Sequence, residues 1–103
     1  MKRTASMIYR ASDEARELYL VTDNEGRLYP MKQAIENNLI KKIKKGVYDA
    51  DRAIEAFYYL TTEASRQYKR DFGYMFTVTE RWTAAADIAR DFIAEYELQN
   101  GTV

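Results

Sequence analysis

Cysteine and histidine are both absent from the 103 residues of this chain. Without cysteine there are no disulfides, no thiolate nucleophile and no sulfur-ligated metal site. Without histidine the usual general base and the commonest transition-metal ligand are missing too. Only one proline and four glycines occur. The glycines stand as isolated turn residues, so there is no P-loop, dinucleotide fingerprint or EF-hand loop. The longest strictly apolar run, Ala56 to Leu60, is far too short to cross a membrane. The opening segment Met1 to Arg10 is basic but has no continuous apolar stretch behind it, which is not the pattern of a signal peptide. A cytoplasmic location is expected. An excess of one charge is lacking as well. The 16 basic residues balance 16 acidic ones, so no whole-molecule field draws the chain to nucleic acid or membrane.

What remains is an ordinary globular composition, 47% apolar and 31% charged, at a length that suits one small domain. The charge is polarised along the chain. Residues 1–52 carry 11 basic and 8 acidic side chains, whereas residues 53–103 carry 5 and 8. Complementary halves suit packing within the chain or head-to-tail contact as well as an external partner.

The local patterns predict an α+β fold, mostly α, with a small N-terminal β-hairpin packed on a three-helix core. Residues 1–16 are polar without a strong period and are expected to form a partly flexible extension, in which Ser12 can cap a short helix. The domain proper is expected over residues 17–103. Its first segment, Glu17 to Thr22, is β-prone, and Asp23-Asn24-Glu25-Gly26 is a turn sequence. Arg27-Leu28-Tyr29 can then return antiparallel, with Gly26 supplying a positive φ. Pro30 suits a first helical position, so a helix is predicted from Met31 to Lys45, stopped by Gly46. Asp49 is a good N-cap for a second helix running to Phe72. Thr77-Val78-Thr79-Glu80 has capping-box spacing and opens a third helix, ending near Leu98.

At about 100° per residue each predicted helix gathers an apolar stripe. The first collects Met31, Ile35, Leu39, Ile40 and Ile43. The second collects Ile54, Phe57, Tyr58, Thr61, Ala64, Ser65, Tyr68 and Phe72. The third collects Trp82, Ala85, Ala86, Ala89, Phe92, Ile93 and Tyr96. Three such stripes make three core-facing helices.

The block from Asp23 to Phe72 resembles a group of short accessory proteins encoded by tailed phages and conjugative plasmids. The residues that carry the resemblance are Asp23-Asn24-Glu25-Gly26-Arg27-Leu28-Tyr29-Pro30, Ile35, Asn38-Leu39, Lys42-Ile43, Lys45-Gly46-Val47-Tyr48-Asp49, Tyr59-Leu60, Ala64, Tyr68 and Phe72. They span half to two-thirds of the chain. The resemblance brings no activity with it. It implies an accessory gene of a mobile element, a class that often encodes inhibitors of host defence or of host enzymes.

Three features are candidates for function. Lys41, Lys42, Lys44 and Lys45 spread over an arc of about 160° with Ile43 pointing the other way. They fit a patch for nucleic acid or an acidic partner, and equally the cations that a helix favours in its last turn. Arg52, Tyr59 and Arg66 form a column at i, i+7 and i+14 opposite the apolar stripe, flanked by Glu55, Glu63 and Arg70. Tyrosine and arginine are the residue types of interface hot spots. Glu36 and Lys32 fall inside an apolar arc, so Glu36 should pair with Lys32, an arginine or a tyrosine hydroxyl. Ser6, Ser12 and Ser65 have no histidine to activate them, and Asp49-Ala50-Asp51 is explained by capping. No catalytic residue, cofactor or metal ligand is therefore expected. The expected function is a non-catalytic protein-interaction module that inhibits a host defence or host enzyme by binding it through Arg52, Tyr59, Arg66 and Arg70. The same face could instead form a homodimer. The alternative is a small nucleic-acid binder using Lys41, Lys42, Lys44 and Lys45.

Overall fold

The chain reads through Glu17–Thr22 as helix, because burial recurs there every three to four residues. Ala15, Leu18 and Thr22 are all at most 3% exposed, while Leu20 is 43% exposed. Thr22 satisfies its buried hydroxyl by donating to the Leu18 carbonyl at 2.7 Å. The computed structural model describes residues 5–101, with side chains described from residue 13 onward. Helix α1 spans Ala5–Asn24, α2 Tyr29–Lys44, α3 Ala50–Phe72 and α4 Val78–Asn100. Among the described residues there is no strand, and the fold is all-α.

This corrects the expected α+β class. The β-prone window Glu17–Thr22 lies inside α1. The segment that was to be a turn and returning strand is Glu25 followed by a 3-10 turn, Gly26–Leu28, which leads straight into α2. Gly26 is not among the glycines with positive φ. Glu25 holds the corner. Its carboxylate accepts from the Arg27 backbone N–H at 3.1 Å and from Arg27 Nε at 2.7 Å. Those bonds lower its carboxyl pKa to about 2. Leu28, 6% exposed, pins the turn to the core. Strand propensity lost because a lone two-stranded ribbon is marginal, whereas a helix here buries three side chains on one face. The boundary expected at residue 17 falls within α1, whose backbone runs on unbroken from Ala5. Ser12 sits inside that helix, and the side chains of Ser6 and Ser12, like the whole of residues 1–4, lie outside the described part.

The remaining helices start and stop on local signals. Lys45, Gly46 and Val47 close α2 as a Schellman motif. Gly46 (φ 74°) donates to the Ile43 carbonyl and Val47 to the Lys42 carbonyl, both at 3.0 Å. Asp49 caps α3 by accepting from the N–H groups of Asp51 and Arg52. Gly73 (φ 78°) ends it. Thr77 and Glu80 form the expected capping box of α4, with Glu80 accepting the Thr77 N–H at 2.7 Å.

α3 and α4 make the most extensive contact, α1 lies across both, and α2 packs mainly against α3. Phe57 is fully buried at their centre, its ring 6.0 Å from that of Phe92. The stripes are wider than their sequence pattern implied. Ala53, Leu60, Ala84 and Ile88 join the core because α3 and α4 are each covered on more than one side. Three stripe members are corrected outward, Met31 at the start of α2 among them at 39% exposed. Phe72 is 72% exposed because α3 outruns the core, and Trp82 is 39% exposed, stacked on Tyr58 at 3.9 Å. No helix among the described residues is long and apolar enough to cross a membrane.

Candidate interaction surface

The three features singled out in the sequence occupy different parts of the fold. On the outer face of α3, Tyr59 is 72% exposed, and Arg52, Arg66 and Arg70 are exposed with it. Two of the arginines are tied down along their own helix: Arg66 to Glu63 at 2.9 Å and Arg52 to Glu55 at 3.6 Å. Exposed pairs of this kind hold side-chain geometry more than they stabilise the fold. Lys41, Lys44 and Lys45 are exposed in and after the last turn of α2, whereas Lys42 is half-buried. Lys42 and Arg52 line one groove between α2 and α3, of about 300 Å³, with Met31, Ile35, Leu39 and Ala56 beside them. The structure thus brings one lysine of the cluster to one arginine of the column and leaves the rest apart.

Glu36 lines a polar cavity of about 180 Å³ between α1, α2 and α4, with Tyr19, Asp23, Lys32, Asp91 and Glu95. The pairing expected for it is redirected. Lys32 donates to Asp23 at 2.8 Å and reaches Glu36 only through its field. Tyr19 donates to the Asp91 carboxylate, and that bond pushes the phenol up to about 12. Burial raises the Glu36 carboxyl above the usual range, against the pull of Lys32. The folded state therefore binds this proton more tightly than the unfolded chain does. Its contribution to stability is complete below about pH 4.3, the ordinary glutamate pKa, and is lost as pH rises through the folded value. Glu36→Gln should accordingly raise the melting temperature at pH 7, with the gain shrinking toward zero near pH 4. An unchanged or lower melting temperature at pH 7 would remove the burial argument.

Sequence periodicity misses the densest run of exposed apolar residues, the connection between α3 and α4. Phe72, Met75 and Val78 are 72%, 60% and 53% exposed, and Tyr74 is 42% exposed. The connection is held by Phe76, which is 2% exposed and packs 4.9 Å from Tyr74 and 5.1 Å from Tyr68, centroid to centroid. One residue of the segment is the anchor, and its neighbours are turned outward. Val78 and Trp82, one turn apart on the same face of α4, extend the apolar surface. The signal was present in the sequence as five large apolar residues among the seven from Phe72 to Val78. Among the described residues no group of carboxylates is arranged to hold a metal ion. No family model, no curated protein and no solved structure matches this chain.

Proposed function

We propose that this chain is a non-catalytic protein-interaction module whose contact surface centres on the α3–α4 connection. The observation that carries this reading is the cluster of Phe72, Tyr74, Met75 and Val78, four large apolar side chains left in water by one short segment. Scattered apolar residues are normal on a surface, but a contiguous group is the mark of a contact site. Aromatic residues and methionine are also the types enriched in interface cores. The Arg52-Tyr59-Arg66 column on α3 supplies a second, more polar contact face. The resemblance to mobile-element accessory proteins makes a host protein the partner to look for.

The test compares capture of a partner from host lysate by the wild-type chain and by three variants. Phe72→Ser with Met75→Ser should keep the helical circular dichroism and most of the melting temperature, because both side chains are already exposed. It should weaken the partner by about 2 kcal/mol or more if these residues are hot spots. Tyr59→Ala should leave stability almost unchanged and report on the α3 face in the same way. Lys41→Glu with Lys44→Glu should leave the partner bound. Undiminished capture by both the loop variant and Tyr59→Ala would overturn the reading. So would submicromolar nucleic-acid binding at physiological salt that disappears on the lysine reversal.

A further inference from the structure

Beside the exposed connection, α1 and the loop flank an open cavity of about 290 Å³ with an unusual lining. Three of its lining residues are aromatic, Tyr68, Tyr74 and Phe76; the others are the carboxylates Asp13, Glu14 and Glu17. The Tyr74 ring stands at 89° to Tyr68 and at 78° to Phe76, with centroids 6.3 and 4.9 Å apart. Rings this close, Tyr68 and Phe76 also lying 5.1 Å apart, touch edge to face and make one aromatic wall, with Phe76 buried behind and Tyr74 exposed in front. The exposed π face of that wall carries negative potential, which favours a cation lying against it. Asp13 and Glu17 on the rim add formal charge of the same sign. Glu14 accepts a hydrogen bond from the Tyr74 hydroxyl at 2.7 Å, which fixes the ring and pushes its phenol up to about 12. Asp13 and Glu17 have no basic partner among the described residues.

We propose that this cavity receives an arginine side chain of a bound protein, its guanidinium lying against the tyrosine faces and its N–H groups directed to Asp13 and Glu17. This deepens the interaction-module reading and rests on it. The occupant follows from complementarity. An aromatic wall alone would take any hydrophobic side chain, and carboxylates alone would take any cation. Only a group that is planar, cationic and weakly hydrated satisfies both, and guanidinium is that group; an ammonium is a compact, strongly hydrated point charge. The apolar cluster of Phe72 and Met75 lies in the adjoining chain segment, so one partner segment can cover it while its arginine enters the cavity.

The experiment is an NMR titration of the full chain with an acetylated, amidated pentapeptide, arginine flanked by alanines, and with its lysine and glutamine counterparts. Saturable shifts confined to Asp13–Glu17 and Tyr68–Phe76 are expected with the arginine peptide, at least tenfold weaker with glutamine and weaker with lysine. Glu17→Gln and Tyr74→Leu should each reduce arginine-peptide affinity roughly tenfold while the remaining spectrum keeps its dispersion. Equal binding of the arginine and glutamine peptides, or arginine binding that survives both variants, overturns the proposal. Lysine binding as tight as arginine overturns the choice of guanidinium. A concentration-dependent dimer lost in both variants would place a second copy in the cavity. Tighter peptide binding after Lys2, Arg3 and Arg10 are replaced by glutamine would place the chain's own cation there. Either result overturns the assignment to a foreign partner. Because the titration needs no captured partner, it can fail while the loop variant still loses capture, which separates this proposal from the broader reading.

Discussion

Phe57→Ala is expected to lose about 3–5 kcal/mol, the usual cost of emptying a fully buried phenylalanine site. The side chain is 0% exposed and faces Phe92 between α3 and α4, the two helices in most extensive contact. Little can collapse into the vacated volume, because both walls are long helices capped at defined ends. A domain of this size has roughly 5–15 kcal/mol in total, so a large share disappears. The melting temperature should fall by roughly 12–40 °C, at about 4–8 °C per kcal/mol for a small domain. Phe92→Ala, at 8% exposure, should behave similarly. The double variant should cost less than the sum, because the two rings share one space. Thermal melts followed by circular dichroism give all three values. Wild-type melting of either single variant would mean that the α3–α4 contact is not the centre of the core.

The parts of this fold that could be read from the sequence are those governed by a few adjacent residues. Asp49, the Thr77–Glu80 box and Gly46 set helix ends through hydrogen bonds spanning at most five residues, so local pattern sufficed. The burial of Phe57, Ala64, Ala85, Ala89 and Phe92 followed from helical spacing alone. By the same reasoning Tyr59 belonged outside, since it lies opposite that stripe. The rest depended on information that a short window does not hold. Phe72 continues the stripe of α3, yet among the described residues no element covers it where the helix outlasts its neighbours. The aromatic cavity joins residues of α1 to residues more than fifty positions later, and the two segments share no pattern. A connection without a period gives periodicity nothing to act on, so the apolar loop shows only in composition. The spacing of Glu36 points to Lys32, but Lys32 has a nearer carboxylate in Asp23, one that the α1–α2 corner brings within reach.

The α1 segment allows the sharpest test of the corrected fold, through a pair of leucines two residues apart. In a strand over Glu17–Thr22, Leu18 and Leu20 would share a face, and truncating either should cost about the same. In α1 they are separated by about 200°. Leu18 is fully buried with Ala15 and Thr22, and Leu20 is 43% exposed. Leu18→Ala should therefore lose about 2–5 kcal/mol through lost transfer energy and the cavity left between α1 and the α3–α4 pair. Leu20→Ala should stay within about 0.5 kcal/mol, since it removes partly solvated surface and installs the best helix former. Denaturant unfolding of the two variants measures the difference directly, and it should also show in the far-ultraviolet spectrum. Near the melting point of the wild type, Leu18→Ala loses helical signal while Leu20→Ala retains it. Comparable losses for both leucines would restore a strand to this segment and detach α1 from the core.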